Sequence, residues 1–322
     1  MQRRTAAAVL AATLLVCAGG ACAQDFPVKP LRVVVPSAPG GINDIVMRIV
    51  TPRMMELTGQ TVFVDNRSGA STSIGTEIVA RAPGDGYTLL ANTLPLAVNP
   101  GLFRKLPFDV QRDLVPVSQL TSAPYVLVAH PSLPVKTVKE LIGLGRTHPY
   151  QLNFSSGGSG TNLHMAAALF EMLTRVQMTH LPYRGGGPAL ASVVAGEAGL
   201  SFPSIAAVLP FVRAGRLRAL GITTTTRSSL LPEVPTLLEG GVKYYEFSSW
   251  VGVLAPSTTP PHIVAALHGL LVKAVLSPDV VTRLRSDGTE VVASTPAEFR
   301  AYLKEQIERW ARVVELTGMR PD

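Results

Sequence analysis

Short runs of consecutive apolar residues alternate through most of the chain with longer segments whose apolar positions recur every three to four residues. The runs suit strands covered on both faces, and the longer period suits helices with one buried side. The pattern therefore predicts an α/β fold with mostly parallel sheets. Residues 31–35 read as the first strand. Residues 42–57 read as a helix with Ile42, Ile45, Val46, Ile49 and Met54 on one face, kinked at Pro52 and stopped by Gly59. Strands at 61–65 and 87–91 flank a helix at 74–81, and extended segments over 114–128 are broken by Pro124.

A second α/β set follows. Thr137 and Glu140 form a capping box that opens a helix. Strands are expected at 152–155, 177–181, 200–202 and 217–222, with helices at 162–173 and 188–195. After a strand at 250–255, three helices close the chain. The first covers 262–276, the second opens on Ser277-Pro278 and stops before Gly288, and the third has Thr295 as cap, Glu298 reaching back, and an end near Gly318. No repeat period and no low-complexity linker interrupts this order. Two lobes without a linker must be joined by a chain that crosses more than once, and residues 119–126 and 247–251 are the candidate crossings.

The first 23 residues stand outside this pattern. Gln2-Arg3-Arg4 is a positive start, Ala6 to Val16 is a short apolar run, and Ala21-Cys22-Ala23 is a cleavage signal before Gln24. Together they predict an export leader cut near Ala23-Gln24, because the apolar run is too short for a span. A lipid-anchored cysteine is the competing reading, although neither Cys17 nor Cys22 has the small and aliphatic neighbours it needs. Both cysteines lie in the leader, so the mature chain must be stabilised by core burial alone. About 300 residues suffice for that as two lobes. Cleavage also removes Arg3 and Arg4, taking the formal charge from +7 down by two to +5. The remaining basic residues are scattered without an aromatic stripe, which argues against nucleic acid as a partner.

Candidate chemistry sits at the strand ends. The loop from Ser37 to Gly41 carries two glycines, whose N–H groups can face one space, and the following helix adds its own unbonded N–H groups. Asn43 suits an N-cap and Asp44 suits the positive end of the dipole. A tight connection with an ordinary capped helix explains this one segment equally well. It is neither a Walker loop nor G-x-G-x-x-G. Recurrence changes the picture, because residues 66–73, 155–161 and 183–187 are again Gly- or hydroxyl-rich and again leave strands for helices. Open α/β sheets bind ligands at such carboxyl ends. Two loops from each half can face one another across a cleft and hold a small anion by N–H and hydroxyl groups.

Enzyme readings fit less well. Gly157-Gly158-Ser159-Gly160-Thr161 has Thr in place of the last glycine of a nucleophile elbow. The histidines at 130, 148, 164, 180, 262 and 268 show no zinc spacing, so neither metal nor cofactor is expected. A hydrolase or transferase using Ser37 or Ser159 remains an alternative that requires a base within reach. His164, one turn into its helix, can touch a ligand or serve as a structural residue. Arg184 beside three glycines is either a carboxylate partner or a solvated cation. Tyr183, at a strand end before the same glycines, can line the cleft, whereas Trp250, Trp310 and Tyr244-Tyr245 read as packing residues.

The order of motifs resembles the Bug family, the periplasmic solute receptors of tripartite tricarboxylate transporters. The likeness runs through Pro30 to Pro36, Pro39-Gly40-Gly41 with Asp44, Val64-Asp65-Asn66-Arg67, Ile74-Gly75-Thr76-Glu77, Asp85 to Leu90, and Asn99-Pro100. It continues through Asn153 to Gly157, Pro182-Tyr183-Arg184-Gly185, Ala214 to Leu220, Ser248-Ser249-Trp250 and the closing helices. The resemblance implies a type II periplasmic binding protein fold, with each lobe an α/β sandwich around a mostly parallel sheet and two crossover strands. One lobe would comprise residues 24–122 and 252–322, the other residues 123–251. It also implies a small carboxylate held on Ser37, Ala38, Gly40, Gly41, Asn43 and Asp44, with Ser71 and Thr93 beside them. Ser156, Gly158, Ser159, Thr161, His164, Tyr183 and Ser204 would face them from the other lobe. The implied receptor is a monomer in the periplasm that meets integral membrane transporter subunits. A sensor that reports its closed form to a membrane regulator would look the same in sequence.

Departures from the family pattern sharpen the ligand. Asn43 stands where Thr is frequent, Ser71-Thr72 where Gly-Gly is frequent, and Gly199 and Pro203 where acidic residues are common. Without that acceptor at the cleft edge, the expected ligand carries no ammonium group. Tight binding of aspartate or glutamate in calorimetry, with none of succinate- or benzoate-type acids, would contradict this expectation.

Overall fold

The computed structural model describes residues 26–321, so the expected leader, both cysteines and the Ala23-Gln24 junction lie outside the described residues. The first part of the chain runs β1 (Leu31–Val35), α1 (Ile42–Thr58), β2 (Val62–Asn66), α2 (Ser73–Ala80), β3 (Thr88–Asn92), α3 (Pro95–Leu102), α4 (Val110–Asp113) and β4 (Leu114–Pro124). The middle part holds β5 (Val126–Ala129), α5 (Val138–Thr147), β6 (Asn153–Ser156), α6 (Asn162–Thr174), β7 (Thr179–Pro182), α7 (Gly186–Val194), β8 (Leu200–Ser201), α8 (Ile205–Arg213) and β9 (Arg218–Ile222). The chain returns through β10 (Ser248–Pro256), α9 (Pro261–Val275), α10 (Pro278–Ser286), β11 (Glu290–Val291) and α11 (Pro296–Thr317).

These strands form two sheets, ordered β11-β4-β10-β3-β1-β2 and β7-β6-β8-β5-β9. Both are mixed. In the first, β2, β1 and β3 are parallel, with Val33 opposite Val64 and Leu89, while β10 runs antiparallel to both β3 and β4. In the second, β7, β6 and β8 are parallel and β5 is antiparallel to β8 and β9. Crossover helices join the parallel strands β1, β2 and β3, and likewise β6, β7 and β8. The long strands β4 and β10 run antiparallel because they carry the chain out of the first sheet and back. β4 ends on Pro124, and past Tyr125 the chain enters β5 of the other sheet.

The apolar runs have the meaning expected of them. Leu31, Val33 and Val35 point into a layer formed by α1, α9 and α10, while Val34 points into the opposite layer. Leu89 and Ala91 against Leu90, and Val251 and Val253 against Trp250 and Leu254, repeat this two-faced alternation. The inner layer is continuous between the sheets. It includes Leu127, Phe154 and Phe202 of the second sheet together with Trp250, Phe299 and Trp310. Edge-on aromatic contacts tie it together at the return, from Tyr125 to Phe247 at 5.4 Å and from Phe247 to Trp310 at 5.7 Å. No single described helix is long and apolar enough to cross a membrane. The bent pair α9–α10 passes on composition, but Leu267, Leu271, Val280 and Leu284 spend that apolarity inside the fold.

Some local capping signals hold in the fold, and others yield to longer-range partners. The third closing helix has its full capping box, with Thr295 Oγ1 accepting the Glu298 N–H and Glu298 accepting the Thr295 N–H at 2.8 Å. At α5, Thr137 accepts the Glu140 N–H, but the Glu140 carboxylate takes the N–H of Lys136, one residue earlier than expected. Asn43 is not an N-cap. Gly41 occupies that position, and Asn43 lies inside α1, donating to Ala91 O of β3 at 3.1 Å. Ser277 makes no side-chain cap either; its hydroxyl donates to Lys273 O and accepts from Arg53. Helices α3 and α8, which contain Pro100 and Pro210, were not expected.

Glu171 on α6 gives the fold a pH signature. Burial pushes its carboxyl up to about 7, against the pull of the Met178 N–H that it accepts at 2.7 Å. The protonated form is favoured by the fold, so its contribution is complete below about 4.5 and is lost as pH rises through about 7. Glu171→Gln keeps an acceptor for Met178 and removes the titration. Urea unfolding is expected to find the variant more stable than wild type by roughly 1–2 kcal/mol near pH 8, a discounted figure because the group keeps solvent contact, with no gain near pH 4.

Candidate functional site

The loops after β1, β2 and β3 leave one end of the first sheet, and those after β6, β7 and β8 leave one end of the second. In the first loop, Gly41 N–H bonds Ala38 O at 3.2 Å, and Ser37 Oγ donates to Asn43 Oδ1 at 2.7 Å. A Cβ at Gly41 would lie 2.6 Å from Ser37 Oγ, so a larger residue here displaces Ser37 from the turn. The first α1 bond runs from Ile45 N–H to Gly41 O, which leaves the N–H groups of Ile42, Asn43 and Asp44 as the helix's open end.

Asp44 is 2% exposed and points back into this loop. It accepts from Gly40 N–H at 2.9 Å, from Asn66 Nδ2 at 3.0 Å, and from Arg48 Nε at 3.0 Å. Burial by itself would raise its pKa, but the Arg48, Gly40 and Asn66 hydrogen bonds win and hold it below the ordinary 3.8. Its oxygens are thus engaged by the protein. Asp44 positions the loop, with Asn66 also donating to Ser37 O at 3.1 Å.

The second loop stores strain. Ala70, Ser71 and Thr72 are consecutive residues in the left-handed region, at φ 44°, 46° and 73°. Such positions cost on the order of 1 kcal/mol each without glycine. Side chains brace them: Asn99 Nδ2 donates to Ser71 O at 2.5 Å and Ser73 Oγ at 3.2 Å, and Asn92 Nδ2 to Thr72 Oγ1 at 3.4 Å. Thr93, after β3, accepts the Leu94 N–H at 2.6 Å and meets Ser249 Oγ of β10 at 3.3 Å. Ser249 and Asn162 hydrogen-bond to the phenol of Tyr125, whose burial pushes it up to about 12 and keeps it neutral. A run of hydroxyls and one amide therefore links the first sheet, the crossover strands and the start of α6.

On the second sheet, Ser156 Oγ accepts the Gly158 N–H at 3.1 Å and lies 2.5 Å from His180 Nε2. His164 stacks on the His180 ring at 4.0 Å between centroids, and Phe154 stacks on it at 4.9 Å. Thr161 donates its hydroxyl to Gly158 O at 2.7 Å. The Ser156–His180 pair is the serine–base contact a hydrolase would require, but it does not involve Ser37 or Ser159. Ser156 is fully buried and clasps the Gly158 turn, so it serves the loop's shape. Ser37 meets Asn43, which is no base. Tyr183 turns its hydroxyl toward Glu197 at 3.5 Å, Arg184 is exposed, and Ser204 stands at the start of α8.

The two loop sets meet. A Cβ on Gly160 would lie 3.4 Å from Ser71 Oγ and 3.6 Å from Val98 Cγ1, so the β2 and β6 loops touch across the seam between the sheets. Sequence reasoning did not single out Asn66, Asn99, Asn162, Ser249 or Tyr125 as functional. Asn66, Asn99 and Ser249 lay inside the recognised motifs, but nothing in their spacing told what they would hold. No group of three or more His, Cys, Asp or Glu side chains able to hold a metal occurs among the described residues. A groove of about 580 Å³, lined by Val115, Pro260, Pro261, Val264 and Arg300, lies at the opposite pole and contains none of the expected site residues.

Comparison with known proteins matches this geometry to a family. A profile described as "Tripartite tricarboxylate transporter family receptor" matches residues 46–319. BugT of Bordetella pertussis is 36% identical over 298 residues, covering 92% of this chain and 91% of that one. Among solved structures, an R. palustris protein with adipate superposes with a TM-score of 0.85 at 33% identity, covering 92% of this chain and 100% of the other. MatC from Rhodopseudomonas palustris with bound malate gives a TM-score of 0.82 at 33% identity, covering 90% and 100%.

Proposed function

Since this chain belongs to the tripartite tricarboxylate transporter receptor family, we propose that it is a periplasmic solute receptor. It holds a small carboxylate between two lobes and delivers it, as a monomer, to the integral membrane subunits of such a transporter. The lobes are residues 24–122 with 252–322, and residues 123–251, hinged where β4 and β10 cross. The observation that carries this reading is the approach of Ser71 to Gly160. It brings strand-end loops from both sheets, with their N–H and hydroxyl groups, to one seam. An anion needs several converging donors to leave water, and donors fixed in advance cost little reorganisation when it binds. Adipate and malate in the two R. palustris structures support the ligand class.

The binding set is Ser37, Ala38, Gly40, Gly41, Asn43, Ser71 and Thr93 on one side. Gly158, Ser159, Thr161, His164, Tyr183 and Ser204 lie on the other, with Asp44 positioning the first loop and Ser156 the Gly158 turn. A thermal-shift screen of mono-, di- and tricarboxylates tests the function. A true ligand at one hundred times its Kd is expected to stabilise the protein by about 2.7 kcal/mol. If no small carboxylate shifts the transition while a cation or a neutral sugar does, the reading is wrong.

A further inference from the structure

The groove of about 580 Å³ stands apart from the seam. Strand β10 runs from Gly252 opposite Asn92 to Leu254 opposite Leu90, so Pro256 ends it on the side of the sheet away from the loop after β3. There the groove is bounded by Val115 of β4, the turn leading through Thr259 to Pro260, Val264 and Ala265 of α9, and Pro296 and Arg300 of α11. Its volume lies within the roughly 300–1,000 Å³ of small-molecule sites, and its wall is mainly apolar.

Three features of that wall favour a negative charge. Arg300 is exposed at the rim, and its guanidinium has neither an ion-pair nor a hydrogen-bond partner among the described residues. Helix α9 opens here with Pro260 as N-cap, no side-chain cap and no acidic residue in its first turn, so its positive end is uncompensated. Thr259, just before that cap, is 6% exposed, and its Oγ1 has no hydrogen-bond partner among the described residues. Buried hydroxyls are ordinarily satisfied, so this one points to a group that completes it. The acidic side chains of the flanking segments are engaged already, Asp113 by Arg112 at 2.6 Å and the Asp109 N–H at 2.8 Å, and Glu298 by the Thr295 N–H at 2.8 Å. The charge that answers Arg300 is therefore left to a guest. A bare inorganic anion would leave the apolar wall unused, and a cation would meet Arg300 and the positive helix end. A second carboxylate on the guest would lie against that wall without donors.

We propose that this groove is a second binding site, for a small amphipathic monocarboxylate. Its aryl or alkyl body lies on Val115, Val264 and the prolines, while its carboxylate pairs with Arg300 and accepts the Thr259 hydroxyl. The site shares no residue with the seam, so its failure would leave the receptor reading untouched. Photolabelling of the protein with 4-azidobenzoate, followed by peptide mapping, tests it. Saturable label is expected on peptides carrying residues 257–265 or 296–300. Excess octanoate or benzoate should cut that label at least about fivefold, and benzylamine, the cationic counterpart, should not. Arg300→Ala is expected to weaken competition by octanoate at least about fivefold, and Arg300→Lys to restore most of it, because the change removes charge pairing at an exposed position. Ala265→Glu, also at an exposed position, sets a carboxylate on the wall and should abolish the label there. The groove should still be labelled in Gly41→Val, whose substitution falls in the seam. Label confined to the strand-end loops, no saturable label anywhere, or competition by benzylamine as strong as by benzoate overturns the second site. So does label that survives both Arg300→Ala and Ala265→Glu.

Discussion

Gly252→Val is expected to destabilise the protein by more than about 4 kcal/mol, a loss reserved for overpacking that cannot relax. Gly252 lies in β10 opposite Asn92 and Gln119, next to a register shift, on the face that looks into the inner core. A Cβ there would collide with the Phe299 ring, coming within 2.6 Å of Cε1 and 2.9 Å of Cε2 as well as against Cζ. The ring cannot swing aside. Phe299 is fully buried on α11 and packs edge-on against Trp250 at 5.6 Å. Urea-unfolding midpoints of Gly252→Val, and of Gly252→Ala, Phe299→Leu and their double variant, check this. The double variant should recover part of the loss, giving a coupling of roughly 1–3 kcal/mol. A wild-type midpoint for Gly252→Val would refute the packing. The position is also functional in prospect, because β10 is one of the two strands about which the lobes would hinge.

Gly41→Val is expected to remove ligand binding while leaving the fold standing. Its Cβ would enter the space of Ser37 Oγ, at 2.6 Å, and crowd Asn43 Oδ1, at 3.2 Å, breaking the hydrogen bond that shapes the loop. The loop is at the surface end of β1, so the backbone can yield there at a cost of about 1 kcal/mol. Ligand-induced stabilisation of about 2.7 kcal/mol at one hundred times the wild-type Kd should fall to near zero, which corresponds to at least a hundredfold weaker binding. Asp44→Asn is the milder companion. It retains an acceptor for Gly40 N–H but loses the charge pairing with Arg48, so binding should weaken by about tenfold. A full ligand shift in Gly41→Val would remove the first loop from the site.

Much of the architecture was legible because it is local. The two-faced strands β1 and β3 declare themselves as apolar runs, and Thr295 with Glu298, or Gly59 past α1, mark helix ends within a few residues. Asn43 shows where local reading stops. It looks like a cap, but its amide is drawn inward by Ala91 O, 48 residues away, and Gly41 caps the helix without a side chain. Asp44 is similar: its place in the first turn was readable, but its role as the clamp of Gly40 depends on Asn66 arriving from β2.

By itself the sequence determined the order of strands and helices and the placing of Gly- and hydroxyl-rich loops at strand ends. Both follow from side-chain periodicity and backbone freedom, which act over a few residues. Only the tertiary structure decided that Ser71 meets Gly160, that Thr93 is joined to Tyr125 through Ser249, and that Ser71, Asn99 and Asn162 are left with unanswered polar atoms. The physical reason is distance along the chain. These groups come from segments tens to more than a hundred residues apart, and their partners are chosen by how two sheets pack, which no local pattern encodes.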